Sequence, residues 1–171
     1  MLTPTVRRTL APRGQTPVQK SWDRRDRISA ISAITVSPQR KKLNLYFRLL
    51  PDDENAHAED TVAFLKHLRR HLPGPFTLIW DRSNIHDRSL LVRAFLADHP
   101  EIATEKFPGY APELNPDEQV WNHTKYGRMA NYAPEDTQVL RRKLRYEMNR
   151  LKLKPELLAG FIRHSKLPLR L

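Results

Sequence analysis

The segment Phe76-Thr-Leu-Ile-Trp-Asp81 decides how this sequence folds, because it is a short apolar run that ends in an aspartate. A run of this length after a Pro-Gly-Pro break is typical of a buried strand. A second acid, Glu118, follows a proline-punctuated loop from Pro108 to Pro116. Proline is favoured at the first position of a helix. The sequence therefore predicts that Asp81 closes a strand and that Glu118 opens a helix.

Two carboxylates presented in this way can share divalent metal. Hard cations such as Mg²⁺ prefer oxygen ligands, and phosphodiester cleavage commonly uses two metal ions about 4 Å apart. A nucleic-acid phosphoryl-transfer site is therefore one hypothesis. The residues alone leave another open: Asn115 to Glu118 also fit the N-cap to N3 positions of a helix, so that Glu118 would close a capping box, and Asp81 would form a turn.

The segments on either side of Asp81 predict a mixed α/β order. Ile28 to Ser37 and the period-two run from Leu43, separated by a basic turn, predict an antiparallel hairpin. Glu59 to Leu72 and Asp87 to Asp98 have helical spacing, and Ile102 to Phe107 is a weaker, edge strand. The buried faces expected for the two helices are Val62, Leu65, Leu68 and Leu72 for the first, and Leu90, Leu91, Ala94 and Phe95 for the second.

Two further helices are expected, from Pro116 and from Pro134. The second repeats Leu140, Leu144, Met148 and Leu151 along an otherwise basic rod. The tail from Leu151 to Leu171 either folds onto its own domain, which is the simpler expectation, or docks another protomer.

The sequence around the two acids resembles the second and third acidic motifs of DDE transposases, in the branch that joins mariner-like and bacterial insertion-sequence enzymes. The string Tyr-x-Pro-x-Leu-Asn-Pro-x-Glu-x-x-Trp, from Tyr110 to Trp121, is specific, and Glu118 lies 37 positions after Asp81. The likeness extends over most of residues 3 to 126. Supporting residues of the two motifs are Asn84, His86, Tyr110, Asn115, Pro116 and Trp121.

This resemblance implies a ribonuclease-H-like fold, with a truncated catalytic domain at 1–130 and a basic helical extension at 131–171. It implies that Asp81 and Glu118 are catalytic metal ligands for two Mg²⁺ (or Mn²⁺) ions, which act in hydrolysis at a transposon end and in strand transfer. His86 would contact DNA or a metal-bound oxygen, or be structural. Tyr110 and Trp121 would pack around Glu118 rather than stack on a base.

The family's first acid, an Asp at the end of an inner strand, has no match here, so we expect that strand and ligand to be missing. Asp23 and Asp26 have arginine neighbours and are better explained as their partners. We therefore expect the chain alone to be inactive and marginally stable or prone to aggregate. The family's N-terminal helix-turn-helix region is also lacking, so recognition of specific transposon ends should be lost.

The net charge of +11 is uneven. Residues 1–42 hold 10 Lys or Arg against 2 acids, residues 140–171 again hold 10 against 2, and the middle holds 10 against 15. The acidic middle would favour binding of a metal ion. The basic flanks could neutralise DNA phosphates, or they could simply form a solvated surface. The candidate DNA-binding residues are Arg7, Arg8, Arg40, Lys41, Lys42, Arg141, Arg142 and Lys143.

Three functions remain open. The first is a truncated, decayed or frame-split transposase, and the second is a DNA-binding or regulatory remnant without catalysis. The third is a host nuclease of the same fold, which the missing acid disfavours. Double-stranded DNA is the expected partner, with a homo-oligomer or an upstream-encoded part as further candidates. The sequence has no cysteine, no signal-peptide core and no apolar run near the roughly 20 residues of a membrane span. A cytoplasmic, nucleoid-associated location is expected.

Overall fold

A computed structural model describes residues 6–8, 10–18, 27–83, 85 and 88–169. The described strands are β1 (Ile28–Val36), β2 (Leu43–Asp52), β3 (Phe76–Trp80) and β4 (Ile102–Lys106). The described helices are α1 (Ala58–His71), α2 (Leu90–Ala97), α3 (Pro116–Asn122), α4 (Thr137–Lys152) and α5 (Pro155–His164). A 3₁₀ turn at Pro112–Leu114 precedes α3, and a π-helical segment at His123–Arg128 follows it. None of the described helices is long and apolar enough to cross a membrane.

The predicted hairpin is confirmed. β1 pairs with β2 in antiparallel register from Val36 opposite Leu43 to Ile28 opposite Asp52. In the turn, the Ser37 N–H donates to the Lys42 carbonyl at 2.9 Å, and Arg40 adopts a left-handed backbone with φ 57°. The β-branched Ile, Thr and Val side chains of β1 suit an extended, half-buried strand.

β3 and β4 form a separate, parallel pair, in register from Phe76 opposite Ile102 to Trp80 opposite Lys106. β4 buries Ile102 and exposes its other side chains, as expected of an edge strand. The described strands thus form two two-stranded sheets rather than one.

Helix α1 joins the two sheets. Its residues Phe64 and Leu68 form a buried cluster with Tyr46 of β2. Ile31 and Ala33 of β1 pack against this cluster, and so does Phe76 of β3. The predicted mixed sheet is therefore present as two halves that are both packed against α1.

The opposite face of the hairpin is covered by α3, α4 and α5. Leu45 of β2 shares a buried cluster with Val120 of α3, with Leu144, Met148 and Leu151 of α4, and with Leu158 of α5. Leu140 is also buried, so the apolar face predicted for α4 is confirmed. The tail folds onto its own chain through α5, as the simpler expectation had it.

The predicted apolar face of α2 is wrong in part. Val92 and Phe95 are buried, whereas Leu90 and Leu91 are exposed. The helix begins after Ser89, whose side chain accepts a hydrogen bond from the Val92 N–H. Apolar residues stand on two adjacent stripes of this helix, about 100° apart around its axis. Packing against α1 and β4 selects the stripe that carries Val92.

Candidate active site

Asp81 lies directly after β3 and is exposed. Its Oδ1 atom accepts a hydrogen bond from the Ser83 N–H at 3.0 Å, so Asp81 does form the turn that was the alternative to a metal ligand. The neighbouring backbone is tied to β4: the Phe107 N–H donates to the Trp80 carbonyl at 2.9 Å, and Arg82 Nε donates to the Phe107 carbonyl at 3.1 Å. The parallel pairing therefore fixes the position of the backbone that carries the Asp81 side chain.

Glu118 occupies the third position of α3 and is exposed. The Asn115 side chain caps this helix by accepting from the Asp117 N–H at 3.1 Å. The Asn115 N–H donates to the Pro112 carbonyl at 3.1 Å. A capping box would need that N–H for the Glu118 carboxylate, so the capping-box explanation of Glu118 is wrong. Pro116, at the first helical position, presets the backbone that presents Glu118.

Asp117 is a site residue that the sequence analysis missed. Its Oδ2 atom accepts hydrogen bonds from Ser32 Oγ of β1 at 2.6 Å and from Trp121 Nε1 at 3.2 Å. Its Oδ1 atom is buried and has no partner. Burial raises the pKa of Asp117 to about 6, the two hydrogen bonds act in the opposite direction, and the nearby Glu118 charge adds to the rise.

The Asp117 carboxylate fastens the start of α3 to β1, and thereby fixes the helix turn that carries Glu118. The one signal in the sequence was the spacing of Asp117 and Trp121, which are four residues apart and so face each other on a helix. Trp121 is partly buried against the main core, as predicted.

The packing role predicted for Tyr110 is wrong. The side chain is fully exposed, and its backbone is left-handed with φ 54°. This turn conformation directs the ring away from the protein, whereas Trp121 is held by the helix on which it lies. Asn84 and His86, and also Asp23 and Asp26, lie outside the described residues.

The two exposed carboxylates suit Mg²⁺ or Mn²⁺ by their chemistry, since both are hard oxygen donors. Asp81 belongs to the β3–β4 half and Glu118 to the helix fastened on β1. Within the part of the chain that the structure describes, no three His, Cys, Asp or Glu residues group into a metal site. Asp81 and Glu118 are therefore not part of such a group in the described part of the chain.

The candidate DNA-binding residues fall into different settings. Arg7 and Arg8, the turn residues Arg40 to Lys42, and Arg142 are exposed. Arg141 forms an ion pair with Asp52 and donates to the Leu50 carbonyl, and Lys143 forms an ion pair with Glu147 at 2.8 Å. Arg141 therefore also holds α4 against β2, whereas the Lys143 ion pair lies within α4 itself.

The chain was compared with known proteins. A model of the DDE superfamily endonucleases matches residues 1–141. No curated protein matches the chain.

Three solved structures cover nearly all of this chain. The Mos1 transposase paired-end complex with left transposon end is 16% identical with a TM-score of 0.59, and the match covers 96% of this chain and 52% of that one. The Mos1 strand transfer complex is 15% identical with a TM-score of 0.57, covering 98% and 52%. The Mos1 mariner paired end complex with Mn is 14% identical with a TM-score of 0.58, covering 98% and 53%.

These likenesses show that the fold is ribonuclease-H-like, as the sequence predicted. This chain spans about half the length of each of the three chains.

Proposed function

The chain belongs to the DDE superfamily of endonucleases, and from this premise we propose that it is the catalytic part of a DNA transposase. Asp81 and Glu118 would bind two Mg²⁺ or Mn²⁺ ions in a phosphoryl-transfer site. The observation that carries the proposal is the family match, which spans both acids and the Asn-Pro-x-Glu string around Glu118. DNA, as transposon ends and target, would be the substrate.

The exposure and backbone setting of the two side chains support this role. Both side chains are exposed. Asp81 follows β3, whose backbone is held by pairing with β4, and Glu118 lies in the first turn of α3, whose start is capped by Asn115. The adjacent Asp117 is engaged by Ser32 and Trp121, so Glu118 is the acid of that pair that faces outward. Bound metal would activate a water or a DNA 3′-hydroxyl and stabilise the leaving oxygen.

A shared site can be tested with Mn²⁺, which broadens the NMR signals of nearby amides. We expect signals beside Asp81 and beside Glu118 to broaden together, and Asp81→Ala to relieve the broadening at both. The matched control Glu113→Gln removes another exposed carboxylate from the loop before α3 and should change neither. Broadening at Glu118 that persists in Asp81→Ala would contradict a shared site.

We further propose that the chain alone does not cleave DNA, because two carboxylates cannot complete a family site that needs three. A cleavage assay on residues 1–171 tests this, and sequencing and translating the DNA upstream of the Met1 codon tests where a third ligand could come from. An apolar strand ending in Asp would identify the third ligand, and adding that segment should restore metal-dependent cleavage. Cleavage by residues 1–171 alone would refute the requirement. A cytoplasmic, nucleoid-associated location belongs to the same proposal.

A second function is a DNA-binding or regulatory remnant without catalysis, and the basic flanks of +8 each favour it. The Asp81→Ala variant separates the two functions. It should abolish the activity of a completed enzyme while leaving DNA binding intact or slightly stronger, because a negative charge is removed. Equal binding with no activity under every condition would leave only the remnant or a decayed transposase.

A further inference from the structure

A cleft of about 460 Å³ lies along the outer edge of β2. Its walls are residues Leu45 to Leu49 of β2, His67 of α1, and Arg145, Asn149 and Lys152 of α4. Helix α1 covers one face of the hairpin and α4 covers the other. Because β2 pairs only with β1 among the described strands, its second edge opens between these two helices.

The cleft is cationic. Arg48, Arg145 and Lys152 are exposed at its walls, and none of its lining residues is acidic. The Lys152 Nζ atom lies 5.3 Å from the centre of the Tyr46 ring. The His67 ring lies 5.8 Å from that ring and 4.3 Å from the ring of His71. Arg48 of β2 and Arg145 and Lys152 of α4 thus place positive groups around one opening, which His67 of α1 also lines.

The positive groups are close enough to repel one another. Burial lowers the pKa of His67, and the positive charges of His71, Arg70, Lys152 and Arg48 lower it further. Charged side chains also keep an edge strand from pairing with other strands, but charges of either sign would do so. A cluster of one sign destabilises the folded chain unless an anion neutralises it.

We propose that this cleft binds the phosphodiester backbone of DNA, at a site that shares no residue with the Asp81 and Glu118 pair. The inference rests on the proposed function, in that the chain is taken to act on DNA. Arg48 and Arg145 can each form two hydrogen bonds to one phosphate, and Lys152 adds a point charge supported by the Tyr46 ring. None of these residues was among the DNA-binding candidates from sequence.

The test is the affinity of the full chain for a 30-base-pair duplex, measured by fluorescence anisotropy over a range of salt concentrations. The cleft variant is Arg48→Ala with Arg145→Ala and Lys152→Ala. The control removes the same charge from exposed positions elsewhere, by Arg93→Ala, Arg163→Ala and Lys166→Ala. Each phosphate contact contributes about 0.9 to the slope of log affinity against log salt, so the cleft variant should lower that slope by up to about 3 and weaken binding about tenfold or more.

The control should weaken binding less than threefold. Replacing the cleft arginines by lysine should keep the salt slope but lose part of the affinity, because lysine keeps the charge and not the paired hydrogen bonds. Binding should also tighten as pH falls through the His67 titration, and His67→Gln should remove that part of the pH dependence. Equal loss in the cleft and control variants would overturn the cleft and leave the proposed function standing. Failure of the unmodified chain to bind DNA would overturn both. A third outcome is that an acidic decapeptide binds in the cleft while the cleft variant keeps its DNA affinity. That result would overturn the DNA site and indicate that the β2 edge binds a protein partner instead.

Discussion

Asp117 shows how neighbouring acids on one helix turn come to differ. Glu118 faces outward, while the Asp117 carboxylate is buried against Ser32 and Trp121 and keeps one oxygen without a partner. Removing a carboxylate from water favours its protonated form. Asp117 therefore holds α3 against β1, but its burial lowers the free energy of unfolding by an amount that depends on pH.

This cost has a defined pH window. The pKa of Asp117 is about 6 in the folded chain against 3.8 for an ordinary Asp, so between about pH 4 and 6 the folded state holds a proton that the unfolded state has lost. Stability should fall as pH rises through that window and then level off, by up to about 3 kcal/mol in total. Asp117→Asn should abolish this fall in urea unfolding from pH 4 to 8.

The matched control is Glu135→Gln, which neutralises an exposed carboxylate just before α4. It should leave the pH dependence of the unfolding free energy unchanged. A slope in Asp117→Asn equal to that of the unmodified chain would mean that the buried carboxylate does not titrate with folding.

At the scale of elements, α4 and α5 pack on the face of the hairpin that carries Leu45. Met148 of α4 and Leu158 of α5 are wholly buried beside Leu45 of β2 and Val120 of α3. The same α3 carries Glu118, so this cluster connects the basic C-terminal helices to the candidate site. Exposed cations lie on the outer side of α4, where Arg145 and Lys152 line the β2 edge.

Met148→Ala should therefore destabilise the chain by about 2–5 kcal/mol, the usual cost of deleting a fully buried side chain of this size. Leu153→Ala, which removes an exposed side chain at the end of α4, should cost less than about 0.5 kcal/mol. Urea unfolding at pH 7 measures both. Similar values for the two would contradict the docking of α4 on the hairpin.

At the scale of the whole molecule, the sheet is divided. β1 and β3 each have one edge unpaired in the described strands, although both pack against the α1 cluster. Unpaired edges expose backbone N–H and C=O groups that can pair with another chain. Ile79 of β3 adds a partly exposed apolar side chain to such an edge.

We therefore expect the purified chain to be marginally stable, with no unfolding transition at high temperature, and to self-associate on heating. Ile79→Lys should raise the temperature at which light scattering appears, because a charge on the edge opposes strand pairing. Leu153→Lys, which places the same charge on the exposed residue just after α4, should raise it less. A cooperative, high-temperature transition without scattering in the unmodified chain would contradict this expectation.

The sequence by itself determined the order of strands and helices, the hairpin, the α4 face and the positions of Asp81 and Glu118. Those features follow from local periodicity, proline and turn chemistry, and a specific motif, all of which are written in consecutive residues. Tertiary structure alone decided which stripe of α2 is buried, that Asp117 is held by Ser32, 85 positions away in the chain, and that Tyr110 is exposed. It also brought the cations of the β2 edge together. Each of these depends on contacts between segments far apart in sequence, and local periodicity carries no information about such contacts.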